Sequence, residues 1–140
     1  DRKNQYLRKL NAIYNALKLL SEWLLPISLE DFLSDVKTKY ASYKAFQEAI
    51  EACMDICAMI VKDVGEITKD DYSNIETLVE KGIITKFMAD KLFEANSVRN
   101  WVIYRYNKLD DKVVYQRILN LIDYIEKFVE DVEKWLEGNF

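Results

Sequence analysis

Apolar residues recur every three or four positions along almost the whole chain, which is the repeat of one face of an α-helix. This pattern predicts a first helix over about residues 4–25, ended by Pro26, and a long second helix over about residues 28–64 with a break near residues 38–41. The apolar face of the first helix comprises Leu7, Leu10, Ile13, Tyr14, Leu17, Leu20 and Leu24. The inner face of the second comprises Phe32, Val36, Tyr40, Tyr43, Phe46, Ile50, Cys53, Ile56, Cys57 and Ile60.

Three further helices complete the predicted set. A short third helix is expected between a cap at Thr68 and Gly82, a fourth over about residues 85–109 and a fifth over about residues 111–135. Their apolar faces comprise Tyr72, Ile75, Leu78 and Val79, then Met88, Leu92, Ala95, Val98, Val102 and Tyr106, then Val114, Ile118, Leu121, Ile122, Ile125, Val129 and Val132. Because short connections join long helices, we expect an all-α, antiparallel bundle of four to five helices in a single domain, residues 1–140.

The composition narrows the class of protein. Three glycines and one proline in 140 residues agree with long helices. A net charge of −4 and a pI of about 5.0 argue against broad electrostatic binding to nucleic acid, although a local basic patch stays possible. Cys53 and Cys57 are expected to be buried and reduced, and a chain without histidine offers few ligands, so no metal or other cofactor is predicted.

Two expectations concern the surroundings of the protein. The longest apolar runs are far too short to span a membrane, so we expect a cytoplasmic location. Trp23, Trp101 and Trp135 cannot all be central in so small a bundle, and a homodimer that buries one helical face is therefore expected.

Residues 97–106 stand apart because they gather two arginines, an asparagine, a tryptophan and two tyrosines on one predicted helix. At about 100° per residue, Arg99 and Tyr106 lie within roughly 20° of each other. Asn100 and Tyr104, four residues apart, form a second stacked pair. Arg99 and Tyr104 are about 140° apart, so they can converge only if the helix distorts or a twofold axis brings a partner helix alongside.

The end of this helix is locally basic, since Arg105, Lys108 and Lys112 follow closely. An arginine beside polar groups in a cleft is suited to recognise a phosphate, because its planar fork donates two parallel hydrogen bonds. The residues alone leave a second interpretation open, in which Arg99 pairs with a carboxylate and Arg105 and Lys108 form a solvated helix end.

Four collinear segments between residues 45 and 136 carry a family pattern. They are Ala49-Ile50-Glu51-Ala52-Cys53-Met54-Asp55-Ile56, Leu78-Val79-Glu80-Lys81-Gly82-Ile83-Ile84, Val98-Arg99-Asn100 and Leu109-Asp110-Asp111-Lys112-Val113-Val114-Tyr115. In these segments the chain resembles HepT-like proteins of the HEPN superfamily. The resemblance implies the toxin of a type VII-like toxin–antitoxin pair, a dimeric, metal-independent endoribonuclease that acts on RNA (tRNA or mRNA). The implied partner is a minimal nucleotidyltransferase, which silences the toxin by AMPylation.

The family motif is an arginine, four residues, a histidine, one residue and a tyrosine on the fourth helix. The resemblance assigns Arg99 to the arginine position and Asn100 to the asparagine that usually follows it. It assigns Tyr106 to the tyrosine that accepts AMP. The histidine position holds Tyr104.

This departure from the motif bears directly on catalysis. Metal-free RNA cleavage needs a group that takes the 2′-hydroxyl proton or protonates the leaving oxygen, and histidine suits this task because its pKa lies near neutrality. A tyrosine, with a reference pKa of about 10, is ionised only to ~0.1% at pH 7. We therefore expect a ribonuclease scaffold whose catalytic step is lost or much weakened, with Tyr104 still able to donate a hydrogen bond or stack on a base.

Two other pairs of residues have open interpretations. Glu51 and Asp55 lie four apart on the long helix, and the resemblance places such acidic residues where they would orient Arg99; alternatively they line a solvated edge. Tyr40 and Tyr43 are expected to be core or interface aromatics rather than site residues.

Two alternative functions also stay open at this point. In the first, the chain is a non-catalytic binding or AMP-acceptor subunit for a nucleotidyltransferase, with Tyr106 or Tyr104 as the acceptor. In the second, it is a purely structural helical dimer.

Overall fold

The computed structural model describes residues 1–104, 108 and 110–140, and this part of the chain forms six helices. They are α1 (Arg2–Leu24), α2 (Leu29–Ser34), α3 (Val36–Asp63), α4 (Asp71–Glu80), α5 (Lys86–Tyr104) and α6 (Asp111–Asn139). The described residues contain no strand, and the prediction of an all-α bundle is confirmed. None of the six helices is long and apolar enough to cross a membrane.

Ion pairs show how α1 lies against α3. Arg2 Nε is 2.8 Å from Asp63 Oδ2, and Lys9 Nζ, two turns further along α1, is 2.7 Å from Asp55 Oδ2, two turns further back along α3. The two helices are therefore antiparallel, as expected of neighbouring helices in the predicted bundle.

The helices α5 and α6 are also antiparallel. The ring of Phe87 at the start of α5 meets the ring of Tyr124 edge-on, with 5.6 Å between the centroids. Glu94 Oε1, two turns later, is 3.4 Å from Arg117 Nη1, two turns earlier on α6. This packing brings the C-terminal turns of α5 beside the first turns of α6, where the candidate site lies.

The long second helix predicted from the sequence is in fact two helices that meet at Asp35. This residue ends α2 and begins α3 with φ −99° and ψ 87°, and its carboxylate accepts the backbone N–H of Thr38 at 3.0 Å. The break therefore lies ahead of the predicted residues 38–41. Val36 and Tyr40 are 55% and 57% exposed, so their placement on the inner face was wrong, because α3 enters the core only at Ser42.

The other helix ends follow side-chain capping. Thr85 Oγ1 accepts the backbone N–H of Met88 at 3.0 Å, which confirms the predicted start of this helix. The cap of α4 is Asp70 rather than Thr68, since the Asp70 carboxylate accepts the Ser73 N–H at 2.7 Å. Gly82 follows α4 with φ 72°, a left-handed conformation that glycine adopts without strain.

One cluster of buried apolar residues draws on all six helices. Its largest fully buried side chains are Tyr6, Phe32, Phe46, Phe128, Ile13, Leu20, Leu24, Ile50, Ile56, Ile60, Ile75 and Leu78. Cys53 and Cys57 lie in this cluster as free thiols, as predicted, and burial raises the pKa of both. Trp23, Trp101 and Trp135 pack at its margin and are only partly buried.

Besides Val36 and Tyr40, three more residues expected on apolar faces lie at the surface. Leu7 and Tyr14 of α1 are 45% and 63% exposed, and Tyr72 of α4 is 56% exposed. The apolar stripes on these helices are wider than the surface that neighbouring helices cover. Tyr72 is nevertheless in contact, because its ring stacks on Phe93 with 4.0 Å between the centroids.

Two tyrosines join helices by hydrogen bonds to carboxylates. The Tyr6 hydroxyl donates to Asp63 Oδ2 at 2.6 Å, and the Tyr43 hydroxyl donates to Asp111 Oδ1. Burial, reinforced by the neighbouring carboxylate, raises the pKa of each phenol above its ordinary value. The unfolded chain therefore releases these protons at lower pH than the folded chain does.

Stability is consequently expected to fall in alkaline solution. The contribution of the two phenols is complete below their unfolded pKa of about 10 and is lost as pH rises towards their higher folded pKa. In urea unfolding measured between about pH 8 and 11, the midpoint should fall less steeply above pH 10 for the Tyr6→Phe/Tyr43→Phe variant than for the parent. Tyr14→Phe, at an exposed position, is the control and should follow the parent, while an unchanged alkaline slope in the double variant would refute the expectation.

Candidate functional site

Arg99 lies in the fourth turn of α5, and its guanidinium is held between α3 and α4. Its Nη1 atom is 3.6 Å from Glu51 Oε1 on α3, and its Nη2 atom is 3.5 Å from Asp71 Oδ2 in the first turn of α4. The Arg99 side chain is only 17% exposed. Both distances exceed the ~2.8 Å of a tight charge-assisted hydrogen bond, so the two carboxylates hold the guanidinium loosely.

Further polar side chains surround this ion-pair cluster. Asn96 Nδ2 approaches Asp71 Oδ2 at 3.5 Å, and Gln47 Nε2 donates to Glu51 Oε1 at 3.0 Å. Arg99 Nε and Asn96 Oδ1 are buried and have no hydrogen-bond partner among the described residues. Buried polar atoms without partners are few in folded proteins. The Arg99 guanidinium and the Asn96 amide can therefore each still form a further hydrogen bond.

A different face of α5 borders an open groove of about 550 Å³ between α5 and α6. It is lined by Ser97, Val98, Asn100, Trp101, Tyr104 and Arg117. Tyr104 is 77% exposed, so its hydroxyl and ring are available to a ligand. The groove therefore offers an amide, two aromatic rings and a guanidinium to whatever enters it.

The structure separates the residues of the predicted site into two groups. Asn100 and Tyr104 share the groove, as their four-residue spacing predicts. Arg99 turns away towards α3 and α4, in agreement with the 140° expected between it and Tyr104 on a straight helix of about 100° per residue. The structure therefore does not bring the motif arginine and Tyr104 together.

Two of the predicted site residues lie outside the part of the chain that the structure describes. Arg105 and Tyr106 are not among the described residues, so the stacking of Tyr106 on Arg99 stays a prediction. Lys108 and Lys112 are both exposed, which fits a basic surface after α5.

The two acidic residues on α3 have different surroundings. Glu51 contacts Arg99, whereas Asp55 pairs with Lys9 on α1 and has a side chain that is 53% exposed. Glu51 is thus placed to orient Arg99, and Asp55 belongs to a solvated edge. Tyr43 is 5% exposed and is a core aromatic, as predicted, while Tyr40 lies outside the core.

Sequence reasoning missed three of the residues around the motif. Asn96 precedes Arg99 by three positions and could have been found, since residues three apart share a helix face. Asp71 gave no such signal, because an acidic residue in the first turn of a helix is explained by the helix dipole alone. Arg117 reaches the groove only through the packing of α6 on α5, which no local pattern indicates.

No three cysteine, aspartate or glutamate side chains converge into a group that could hold a metal ion in the part of the chain that the structure describes. The chemistry on offer near the motif is therefore that of guanidinium, amide, phenol and carboxylate groups. Such groups can bind a phosphate and donate hydrogen bonds to it.

Comparisons with known proteins agree with one another. The protein-family profile described as "Ribonuclease HepT-like" matches residues 13–132. A protein of Archaeoglobus fulgidus named "Putative RNase" is 36% identical over 137 residues, which are 97% of this chain and 96% of that protein. The "tRNA nuclease HepT" of Aphanizomenon flos-aquae is 24% identical over 113 residues, covering 79% of this chain and 76% of the relative.

A solved structure shares the fold. It is that of a tri-AMPylated HEPN toxin of Shewanella oneidensis in complex with an MNT antitoxin. The likeness has a TM-score of 0.84 and covers 92% of this chain and 96% of the toxin, at 19% sequence identity. At that identity the likeness concerns the arrangement of the helices.

Proposed function

The chain belongs to the HepT-like ribonuclease family, and from that premise we propose that it is the toxin subunit of a type VII-like toxin–antitoxin pair. It acts as one cytoplasmic domain built on a metal-independent endoribonuclease scaffold, with RNA (tRNA or mRNA) as its target. The observation that carries the proposal is the groove beside α5, where Asn100 and the exposed Tyr104 lie next to a guanidinium. A tRNA nuclease among the similar proteins supports RNA as the substrate class.

The cleavage step of this chain is weak in the proposal. Tyr104 occupies the acid–base position, and the sequence contains no histidine that could take its place. A phenol is a poor base at neutral pH, so Tyr104 can position a phosphate or a base by hydrogen bonding or stacking but moves a proton slowly. Comparing RNA cleavage by the chain and by its Tyr104→His variant in the presence of EDTA tests this proposal, and it fails if neither protein cleaves.

A homodimer is part of the same proposal. Arg99 and Tyr104 of one protomer face different sides of α5, so one protomer alone does not present both to a single phosphate. A second copy lying along α5 across a twofold axis would place the groove of one protomer beside Arg99 of the other. Arg99 would then stabilise charge on the scissile phosphate, with Glu51 and Asn100 orienting the polar groups around it.

The proposed partner is a minimal nucleotidyltransferase. The solved HEPN toxin with the same fold was captured tri-AMPylated and in complex with an MNT antitoxin, which supports a partner of this kind. In the proposed reaction, the Tyr106 hydroxyl oxygen attacks the α-phosphorus of ATP. A tyrosine–phosphate bond forms, pyrophosphate leaves and the phenolic proton passes to solvent or to a base of the partner.

Incubation with such a nucleotidyltransferase and ATP should therefore add one or more AMP units to the chain, measured as a mass increase of the intact protein. Tyr106→Phe should lose the first addition, because no hydroxyl remains at the acceptor position. Tyr104→Phe is the matched control, two positions earlier in the sequence, and should still be modified. If Tyr106→Phe takes up AMP as the parent does, the assignment of the acceptor is wrong.

A second candidate function is favoured by the absence of histidine. In it the chain is a non-catalytic AMP-acceptor or binding subunit for the nucleotidyltransferase, with no RNA cleavage of its own. AMP transfer to the chain combined with a silent Tyr104→His variant would support this function over the first.

A further inference from the structure

The guanidinium that shares the groove with Tyr104 is that of Arg117, not that of the motif residue Arg99. We propose that Arg117 binds an RNA phosphate in this groove. It holds that phosphate beside Tyr104 of the same chain, a position that the Arg99 side chain does not reach. The inference rests on the proposed function, since it takes RNA as the ligand of the groove.

The position of Arg117 suits this role. It projects from the second turn of α6 into the groove, opposite Asn100 and Tyr104 on α5. Its side chain is 49% exposed, so a ligand can reach it without any rearrangement of the helices. Arg99, by contrast, is 17% exposed and engaged by two carboxylates.

The existing partner of Arg117 is one that a phosphate can displace. Arg117 Nη1 lies 3.4 Å from Glu94 Oε1, a single contact in a pair exposed to solvent on both sides. Such exposed pairs contribute little to stability. A phosphate that enters the groove can accept two parallel hydrogen bonds from the guanidinium, where Glu94 makes one long contact, and is therefore able to replace it.

The remaining lining of the groove suits the other parts of a nucleotide. Tyr104 and Trp101 offer aromatic surface on which an unpaired base can stack. The Asn100 amide supplies both a donor and an acceptor for polar atoms of the base or the sugar. An RNA strand with one phosphate at Arg117 and one base near Tyr104 would therefore lie along the α5–α6 groove.

Binding of a fluorescent single-stranded RNA oligonucleotide to the full chain tests the inference. In low salt, Arg117→Ala should weaken binding by about 5- to 10-fold through loss of one charged phosphate contact. The matched control is Arg8→Ala, which removes an exposed arginine lining an open groove of about 620 Å³ on α1 and should change affinity less than about twofold. Equal affinities of Arg117→Ala and the parent would overturn the inference.

The salt dependence of RNA binding distinguishes a phosphate contact of Arg117 from a purely structural role, because a structural role would leave this dependence unchanged. Arg117→Ala should reduce the slope of log affinity against log salt by about one, whereas Arg117→Lys should keep the slope and lose part of the affinity. Glu94→Gln frees the guanidinium from its carboxylate and should strengthen binding by about twofold, and by less when Arg117 is absent, where only the reduced repulsion of the phosphate is left. An equal gain in Glu94→Gln/Arg117→Ala, measured against Arg117→Ala, would count against the inference.

The outcomes separate this inference from the proposed function. If Tyr104→His cleaves RNA while Arg117→Ala binds as the parent does, the ribonuclease stands and the role of Arg117 falls. If binding depends on Arg117 while Tyr104→His is silent, the groove binds RNA and the ribonuclease proposal falls. A parent chain that binds no RNA overturns the role of Arg117, whatever the cleavage assay shows.

Discussion

The Tyr104→His variant should cleave RNA in EDTA about 10²- to 10⁴-fold faster than the parent chain, the range that one positioned acid–base group contributes. Tyr104 is 77% exposed at the groove, so a smaller imidazole fits there without disturbing the packing of α5. Its pKa near neutrality lets it both accept the 2′-hydroxyl proton and protonate the leaving oxygen. The gain should be greatest near neutral pH and should diminish below about pH 6, where the imidazole is protonated.

The measurement is the appearance of cleaved ends in total tRNA and mRNA, with parent and variant at equal concentration. Tyr104→Phe is the matched control, because it changes the same exposed position without supplying a titrating group. Adding Arg99→Ala to the histidine variant should remove most of the gain, since the phosphate charge then lacks its proposed partner. Equal cleavage by the parent and Tyr104→His would contradict the expectation that Tyr104 impairs the reaction.

The second large effect concerns stability. Phe46→Ala should lower the free energy of unfolding by about 3–5 kcal/mol, because it removes a wholly buried aromatic ring and leaves a cavity that the surrounding helices cannot fill. Phe87→Ala is the control on α5, where the ring is 58% exposed, and should cost about 1 kcal/mol or less. Both are measured by urea unfolding at one protein concentration, because a dimer would make stability depend on concentration.

A loss in Phe46→Ala no greater than that in Phe87→Ala would show that the core around α3 can collapse onto the space left. Phe46 is one of thirteen buried residues on α3, and the same helix carries Glu51, one of the two carboxylates that face the motif arginine.

The helices themselves could be predicted because their physical signals are local. Pro26 marks the end of α1, Thr85 caps α5, and the glycines that follow α3 and α4 have the left-handed φ that a helix end requires. The break at Asp35 gave no comparable signal. Its apolar neighbours continue the helical period, and only the backbone reveals that its carboxylate caps a new helix.

The candidate site was predictable along one helix and unpredictable between helices. The turn of about 100° per residue places Asn100 on the same side of the helix as Tyr104 and away from Arg99. In the structure Asn100 and Tyr104 line one groove, and Arg99 faces Asp71. Asp71 and Arg117 come from α4 and α6, and their approach depends on how these helices pack on α5. The same limit applied to Glu51, for which both alternatives stayed open until the packing of α3 on α5 was known.

The extent of the family match shows a related limit. The region in which the sequence resembles the family begins at residue 45, whereas the family profile reaches back to residue 13. Most of α1 therefore belongs to the family fold although its apolar stripe has no distinctive motif. A stripe of leucines indicates that one face of a helix is buried, but it does not indicate the family to which the protein belongs.

The ion pairs of Arg99 have a consequence for how such a protein can lose its activity. Glu51 on α3 and Asp71 on α4 both face this one guanidinium, so replacing Arg99 would leave two partly buried carboxylates without their counter-charge. Tyr104 carries no comparable structural duty, since it is largely in water. Loss of the acid–base group at position 104 is therefore expected to cost the fold less stability than loss of Arg99.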